Sequence, residues 1–179
     1  MTYNEVETDR LKLRMWRESD LDDYAELTAD PLVMRYLQPG KPPYTRADAW
    51  RSMAFFIGHW QLRGYGHWAV EEKSSGRMIG RIGFLNPEGW PGFEIGWTLA
   101  RHAWGKGYAT EGARRALQYA FKELDQRHVI SLIHPENIPS RRVAEKNGMQ
   151  VEKEITFRSF PTLVFAITRE QWLAKYGAR

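Results

Sequence analysis

The feature that most constrains the fold is a strand, a glycine-containing turn and a helix that follow one another between residues 93 and 124. Residues 93–99 alternate large apolar residues with small or polar ones, which is the period of a strand. Residues 110–124 carry apolar residues at helical spacing, and residues 129–133 form a further apolar run. A strand–helix–strand unit of this kind predicts a sheet covered by helices.

The rest of the chain contains more elements, whose bounds follow from periodicity, caps and turn residues. We predict strands at residues 10–16, 67–71, 77–85, 150–158 and 163–168, and helices at 19–29, 46–62, 137–146 and 169–176. Ser19 and Thr45 are the expected N-caps of the first two helices, and Gly64 the expected end of the second. The fold class is therefore α/β with a mixed sheet, in a single domain spanning residues 1–179.

Composition excludes several classes of protein. The 179 residues include no cysteine, so disulfides, Cys-ligated zinc and a thiol nucleophile are ruled out. The acidic N-terminus has no apolar signal region and no apolar run approaches about 20 residues, so we expect a cytoplasmic protein without a membrane partner. The net charge of +4 comes from small scattered basic groups. They fit a few phosphates better than a nucleic-acid track, and no direct nucleic-acid binding is expected.

The turn before the helix has the chemistry of an anion site. It reads Trp104-Gly105-Lys106-Gly107-Tyr108-Ala109. Glycines let the backbone approach a ligand closely, and a helix N-terminus offers unpaired N–H groups to a pyrophosphate. A P-loop would need glycine at Ala100 and Ser or Thr after Lys106, and the dinucleotide fingerprint would need glycine at Thr110. Neither of these two motifs is present.

With its flanking residues, this turn resembles the GNAT acetyltransferase superfamily. The family turn, Gln/Arg-x-x-Gly-x-Gly/Ala, corresponds here to His102-Ala103-Trp104-Gly105-Lys106-Gly107, and the later motifs to Asn137-x-x-Ser140 and Lys146-Asn147-Gly148. The N-terminal half looks like the RimJ/RimL branch in residues 8–14, Asp20, Asp30-Pro31 and residues 34–37. The resemblance extends over residues 8–172. His102 is a departure, because the family usually has Gln or Arg there.

The resemblance implies a GNAT-type fold and a co-substrate. The expected sheet is mixed, largely antiparallel, of six to seven strands flanked by helices, with splayed central strands. Acetyl-CoA would lie in the splay without a metal, and a neutral amine would attack the thioester directly, with no covalent enzyme intermediate. A backbone N–H near the splay would hold the oxyanion. The expected cofactor contacts are Thr98, Leu99, His102, Gly105, Lys106, Gly107, Tyr108, Ala109, Thr110, Asn137 and Arg142.

Three residues are candidates for catalysis. Glu94 lies in the Glu-Ile-Gly-aromatic context of the family and could deprotonate the amine, or it could simply pair with a neighbouring Arg. His134 has a suitable intrinsic pKa but could equally be a loop residue before a proline. Many relatives protonate the leaving thiolate with a Tyr where this chain has Ala144. Ser140 matches the Ser of the RimL-type pattern and could donate to the sulfur instead, with a capping role as the alternative, and Tyr108 is a second possible donor.

The acceptor is the least constrained part of the prediction. Trp90, in a loop between Gly89 and Pro91, is the aromatic residue expected to contact an acceptor, together with Glu94. The acceptor is either the N-terminal amine of a protein or peptide, as in the RimJ/RimL branch, or a small amine such as a polyamine, aminoglycoside or amino acid. A non-catalytic module that binds acyl-CoA or RNA is the third alternative. A second copy of the chain, in a homodimer, is a further candidate partner.

Overall fold

The computed structural model describes residues 5–177, in which a single sheet is covered by helices on both faces. Its strands are β1 Val6–Glu7, β2 Leu11–Arg14, β3 His67–Glu72, β4 Met78–Leu85, β5 Glu94–Leu99, β6 His128–Ile133, β7 Gln150–Phe157 and β8 Phe160–Thr168. They are ordered β1-β2-β3-β4-β5-β6-β8-β7. Neighbours are antiparallel except for β5 and β6, which are parallel. The predicted α/β class and mixed, largely antiparallel sheet are confirmed.

The helices cover the two faces of the sheet and form a hydrophobic cluster on each. They are α1 Leu21–Ala29, α2 Pro31–Met34, α3 Arg46–Arg63, α4 Tyr108–Lys122, α5 Ile138–Lys146 and α6 Arg169–Tyr176. Helices α1 to α3 cover one face through a cluster that includes Trp16, Tyr24 and Phe56. Helix α4 covers the other face, where its small residues, such as Ala113 and Ala116, allow it to pack closely on the sheet.

Several helix ends form as their residues predict. Thr45 Oγ1 accepts from Asp48 N at 3.2 Å, and Gly64 ends α3 at a φ of +74°. The N–H groups of Gly148 and Met149 bond to the carbonyls of residues 145 and 144, which closes α5 in a Schellman arrangement. Local chemistry therefore sets where these helices stop.

Two expectations about the N-terminal part are wrong. The described sheet has eight strands, one more than the upper number expected, because β1 is a two-residue strand too short to show a period. Ser19 does not cap α1: residues 18–20 form a 3₁₀ turn, and α1 begins at Leu21. Asp20 Oδ2 accepts from the backbone N–H of Arg17 at 2.8 Å instead. Asp20 can do this because a buried arginine, Arg14, holds its carboxylate in place.

Candidate active site

The central strands separate, as expected for this fold. Ile130 N donates to Phe93 O at 2.9 Å, and Glu94 opposite Ile130 is the single paired position of β5 and β6. The next β6 amide, that of Leu132, donates instead to the Glu94 carboxylate at 3.4 Å. A side chain thus replaces the strand partner at this point, and beyond it β5 and β6 leave a gap with unpaired backbone edges.

The register decides which β5 backbone groups face that gap. Ala100 N bonds towards β4 and Phe93 O bonds towards β6, so the odd-numbered residues of β5 face the gap. Leu99 O accepts from the indole N–H of Trp104 at 2.8 Å. This leaves the N–H groups of Trp97 and Leu99 and the Trp97 carbonyl for a ligand. Thr98 directs its backbone to β4, so the β5 residue that faces the gap is its neighbour Trp97, which the sequence pattern did not single out.

The glycine turn presents amides to the same end of the gap. Gly105 and Gly107 have φ values of +74° and +82°, which side chains other than glycine rarely adopt. The first intrahelical bond of α4 runs from Glu111 N to Gly107 O. The preceding amides, those of Tyr108, Ala109 and Thr110, therefore have no acceptor within the helix and form an anion site.

Some of the basic side chains around this turn already form ion pairs, so they are less free than the amides to bind a phosphate. Lys106 Nζ lies 4.0 Å from Glu72, and Arg101 pairs with Asp30 at 3.0 Å. Arg142 and His102 are exposed. The Tyr108 ring is buried and its hydroxyl donates to Glu72 at 2.7 Å, so its backbone is the part that faces a phosphate.

A second basic group lies next to the turn. A shallow cavity of about 530 Å³ is lined in part by Gly107, Thr110, Arg114 and Lys146. This cavity adjoins the α4 N-terminus, and its three basic side chains, which include Arg115, could contact the phosphorylated end of a nucleotide-like cofactor. The lining also contains the carboxylates of Glu7, Asp9 and Glu111. Arg114 and Lys146 were not among the cofactor contacts expected from the sequence, because an exposed basic side chain on a helix has no distinctive sequence pattern.

Glu94 has a position and a pKa that suit a general base. Its half-buried carboxylate accepts from the Trp90 indole N–H at 2.6 Å and from Leu132 N. Burial raises the pKa of Glu94 to about 7, while the Trp90 and Leu132 hydrogen bonds and the charges of Arg81 and Arg158 pull it down. A carboxylate with this pKa can accept a proton at neutral pH.

Trp90 therefore contacts Glu94, and the tip of the β7–β8 hairpin holds the Trp90 ring in that position. Its ring packs edge-on against Phe157 at 5.0 Å, and the Arg158 guanidinium lies 4.7 Å from the ring centroid. Arg158 and Ser159 have positive φ values of +50° and +72° without being glycines, an arrangement that costs energy. The turn between β7 and β8 thus places a cation over the aromatic ring beside the carboxylate.

His134, Asn137 and Ser140 lie at the end of β6 and the start of α5. His134 Nδ1 accepts from Glu136 N at 3.2 Å, and its ring stacks on Tyr36 at 5.2 Å. Asn137 Oδ1 accepts from Ser140 N at 3.3 Å, so Asn137 is the N-cap. The Ser140 hydroxyl forms no hydrogen bond within residues 5–177 and is not needed for capping.

Arg81 and His67 form a polar pair on the sheet face covered by α3. Arg81 Nη1 donates to His67 Nδ1 at 3.0 Å, and its guanidinium lies 4.7 Å from the Phe56 ring centroid. Burial, and secondarily the Arg81 charge, lowers the pKa of His67 well below its ordinary value, so the imidazole is neutral. A Cβ on Gly96 would lie 3.1 Å from His67, so glycine is the residue that fits there.

Two other kinds of site are absent from the part of the chain that the structure describes. Within residues 5–177, no three His, Asp or Glu side chains are grouped as metal ligands. No helix in that range has the length and hydropathy required to cross a membrane.

The sequence matches the acetyltransferase (GNAT) domain family over residues 10–150. The chain belongs to the GNAT acetyltransferases. YkkB of Bacillus subtilis is 36% identical over 166 residues, covering 88% of this chain and 92% of YkkB. YnaD of the same species, an uncharacterized N-acetyltransferase, is 34% identical over 147 residues, covering 82% of this chain and 83% of YnaD. This GNAT chain is an acetyl-CoA-dependent N-acetyltransferase.

Solved structures show the same GNAT fold. An acetyltransferase from Bacillus anthracis is 29% identical with a TM-score of 0.80, covering 93% of this chain and 99% of its own. RimJ of Mycobacterium smegmatis, solved with CoA-disulfide, has a TM-score of 0.74 at 16% identity and covers 93% of this chain and 89% of its own. That second likeness supports the fold alone, so the RimJ/RimL branch is a distant structural match.

Proposed function

We propose that Glu94 is the general base of a direct acetyl transfer from acetyl-CoA to a primary amine. The observation that carries this proposal is the position of the Glu94 carboxylate at the point where β5 and β6 part, where burial raises its pKa to about 7. An amine reaches the enzyme protonated and must lose its proton before it attacks. Glu94 can accept that proton directly or through a water.

The backbone around the gap fits the co-substrate. Acetyl-CoA supplies the thioester whose acetyl group is transferred. The unpaired edge of Trp97 and Leu99 suits an amide-bearing arm, and the amides of residues 107–110 suit the pyrophosphate. A β5 amide that faces the gap would bind the oxyanion, and one such donor is typically worth about 10²–10³ in rate.

Ser140 is the proposed donor to the departing sulfur. Its hydroxyl is not used in capping, since Asn137 performs that role. Asn137 is proposed to contact the cofactor with the part of its amide that the cap leaves free. His134 remains the alternative base, although its Nδ1 already accepts from Glu136 N.

The acceptor is proposed to be a protein or peptide α-amine, with a small amine as the second candidate. AAC(6')-Ib, solved with ribostamycin and coenzyme A, resembles this chain at 20% identity, so it bears on the fold alone, as RimJ does. One observation favours, within the second candidate class, a small amine that is not polycationic. The charged groups that face Glu94 are cations, Arg81 and Arg158, and they disfavour a polycationic amine.

The test is to follow CoA thiol release from acetyl-CoA in the presence of peptides, amino acids, polyamines and aminoglycosides. The chain has no cysteine, so the thiol background is nil. We expect acceptor-dependent release that falls by about 10²–10⁴ in Glu94→Gln. Glu123→Gln, a matched change at the exposed end of α4, should retain the rate.

Full activity of Glu94→Gln would exclude Glu94 as the base. No release with any amine, while calorimetry shows acetyl-CoA binding, would favour a non-catalytic binding module. An absence of acetyl-CoA binding would contradict the cofactor assignment itself.

A further inference from the structure

The acceptor side of the gap contains a guanidinium that no carboxylate neutralises. Among residues 5–177, Arg81 forms no ion pair, and its Nε atom is buried without a hydrogen-bond partner. Its hydrogen-bond partner within that range is His67, which is neutral. A buried polar group without a partner is costly, so an atom left in this state points to a missing partner.

The contacts of Arg81 hold its side chain in place without cancelling its charge. The Phe56 ring lies under the guanidinium at 4.7 Å, and His67 accepts from Nη1. An aromatic face and a neutral imidazole orient the group but contribute no formal negative charge. Nη2 and the buried Nε are thus the guanidinium donors that have no partner among residues 5–177, and they lie on the edge from which a bidentate acceptor accepts.

The surrounding charged groups make the region more positive. Arg158 extends from the hairpin tip over Trp90. Burial raises the pKa of Tyr44 as it does that of Glu94, and the charges of Arg81 and Arg158 oppose the rise at both residues. Asp48 is engaged by Thr45 and Arg51 at the start of α3. Glu94 faces both arginines and supplies at most one negative charge, so the two guanidinium groups together keep a net positive charge there.

Arg81 also lies where an acceptor must approach. It pairs with Thr98 across β4 and β5, one residue from the backbone that faces the gap. On the same face, Gly96 has no side chain between Glu94 and Thr98. An amine near Glu94 therefore has the guanidinium within the length of a small molecule.

Of the two acceptor classes named under the proposed function, the surroundings of Arg81 favour the second: we propose that the acceptor is a small amine that itself carries an anionic group, a carboxylate or a phosphate, and that Arg81 binds that group. This inference rests on the proposed function, because it assumes that the amine is acetylated beside Glu94. The anion would accept from the free guanidinium nitrogens, and the amine would face the gap. Polyamines and aminoglycosides, which carry several positive charges, would be repelled.

The test compares amines that differ in one anionic group. L-alanine is paired with L-alaninamide, and O-phosphoethanolamine with ethanolamine, with spermidine as the polycation. We expect kcat/KM to favour the anionic member of at least one pair by about tenfold or more, and calorimetry with CoA present should show the same preference in Kd. The pair that shows the preference distinguishes carboxylate from phosphate.

Substitution of Arg81 identifies the group responsible. Arg81→Met should raise KM for the anionic amine about tenfold or more and leave KM for its neutral partner unchanged. Arg81→Lys keeps the charge, so it should retain part of the preference if Arg81→Met proves unstable. Arg77→Met changes an exposed arginine paired with Asp23 and should behave as wild type.

Equal kcat/KM and equal Kd within both pairs would overturn the inference, and so would a preference that survives Arg81→Met in a folded protein. A preference for spermidine would overturn it as well. If no amine is turned over, the proposed function fails, but the Kd comparison still decides whether Arg81 binds an anion.

Discussion

At the scale of single residues, Glu94 combines a structural and a chemical role. Its carboxylate takes the place of a strand partner for Leu132 N, which is what allows β5 and β6 to separate. The same placement removes the carboxylate from water and raises its pKa. The separation of the strands and the raised pKa therefore have a common origin in one side chain.

The Trp90 hydrogen bond should set the pH at which Glu94 works. This bond stabilises the ionised carboxylate and lowers its pKa. Trp90→Phe removes the donor, so the rise of kcat/KM with pH, centred near about 7 in the wild type, should move to higher pH. Trp50→Phe, on the exposed face of α3, is the control. An unchanged profile in Trp90→Phe would mean that another group controls the titration.

The raised pKa of Glu94 also predicts how stability depends on pH. A carboxyl whose pKa is higher in the folded state favours folding when protonated, so that contribution is lost as pH rises through about 7. The melting temperature of the wild type, measured against Glu94→Gln, should therefore fall between about pH 5 and pH 8. A constant difference between the two proteins would show that the folded and unfolded pKa values agree.

Ser140 should assist the leaving group without being essential. Ser140→Ala removes a hydroxyl that makes no capping bond, so we expect stability to be retained and kcat to fall about tenfold. Ser19→Ala removes an exposed hydroxyl in the 3₁₀ turn and is the control. A rate equal to the wild type in steady-state assays would remove Ser140 from the catalytic group.

At the scale of elements, the cofactor site depends on how a turn, two helices and a strand edge are joined. Asn147 Nδ2 at the end of α5 donates to Thr110 O in α4 at 3.3 Å. On the other side, Arg10 donates to Lys106 O at 3.0 Å and to Glu111 at 2.7 Å. These contacts fix the amides of the turn relative to the gap.

Gly107→Ala should weaken acetyl-CoA binding specifically. At a φ of +82°, an alanine costs about 1–2 kcal/mol unless the turn changes shape, and a changed turn misplaces its amides. We expect a higher KM for acetyl-CoA with a smaller change in kcat. Gly76→Ala has a similar φ of +67° in the β3–β4 turn and should lose comparable stability without the KM effect. Equal KM values in the two variants would contradict the assignment.

At the scale of the whole molecule, a buried ion network joins the first strands to the helices above them. Arg14 donates to Asp20 at 2.8 and 2.9 Å and to Glu71 at 2.6 Å, with 3% of the Arg14 side chain exposed. The network fixes the start of α1, and α1 packs on α3 over the acceptor face. Arg14 and Asp20, which are among the residues that resemble the RimJ/RimL branch, thus have a structural role.

Asp20→Asn should destabilise the protein by about 3 kcal/mol, because Arg14 would keep a buried charge with one carboxylate fewer. Urea unfolding measures this difference. Asp22→Asn removes a carboxylate that is 82% exposed and paired with Arg46, and it should change stability by about 0.5 kcal/mol or less. Equal losses in both variants would mean that the buried network contributes no more than a surface pair.

Local patterns in the sequence determined much of this protein. Alternation gave the strands, caps and glycines set the ends of α3 and α5, and the strand–turn–helix unit indicated the anion site. These features are readable because they depend on residues a few positions apart. β1 was not readable, since two residues carry no period and its pairing with β2 depends on the assembled sheet.

Tertiary structure decided the rest of the candidate site. Only the register of β5 against β4 shows that Trp97, rather than Thr98, faces the gap. Only the approach of the β7–β8 hairpin places Arg158 on Trp90, and only the folded chain brings the Trp90 indole N–H to Glu94. The pKa of Glu94 and the unpaired charge of Arg81 follow from burial and from neighbours far away in the chain. Sequence supplies the chemical groups, but their distances and their access to water exist only once the chain has folded.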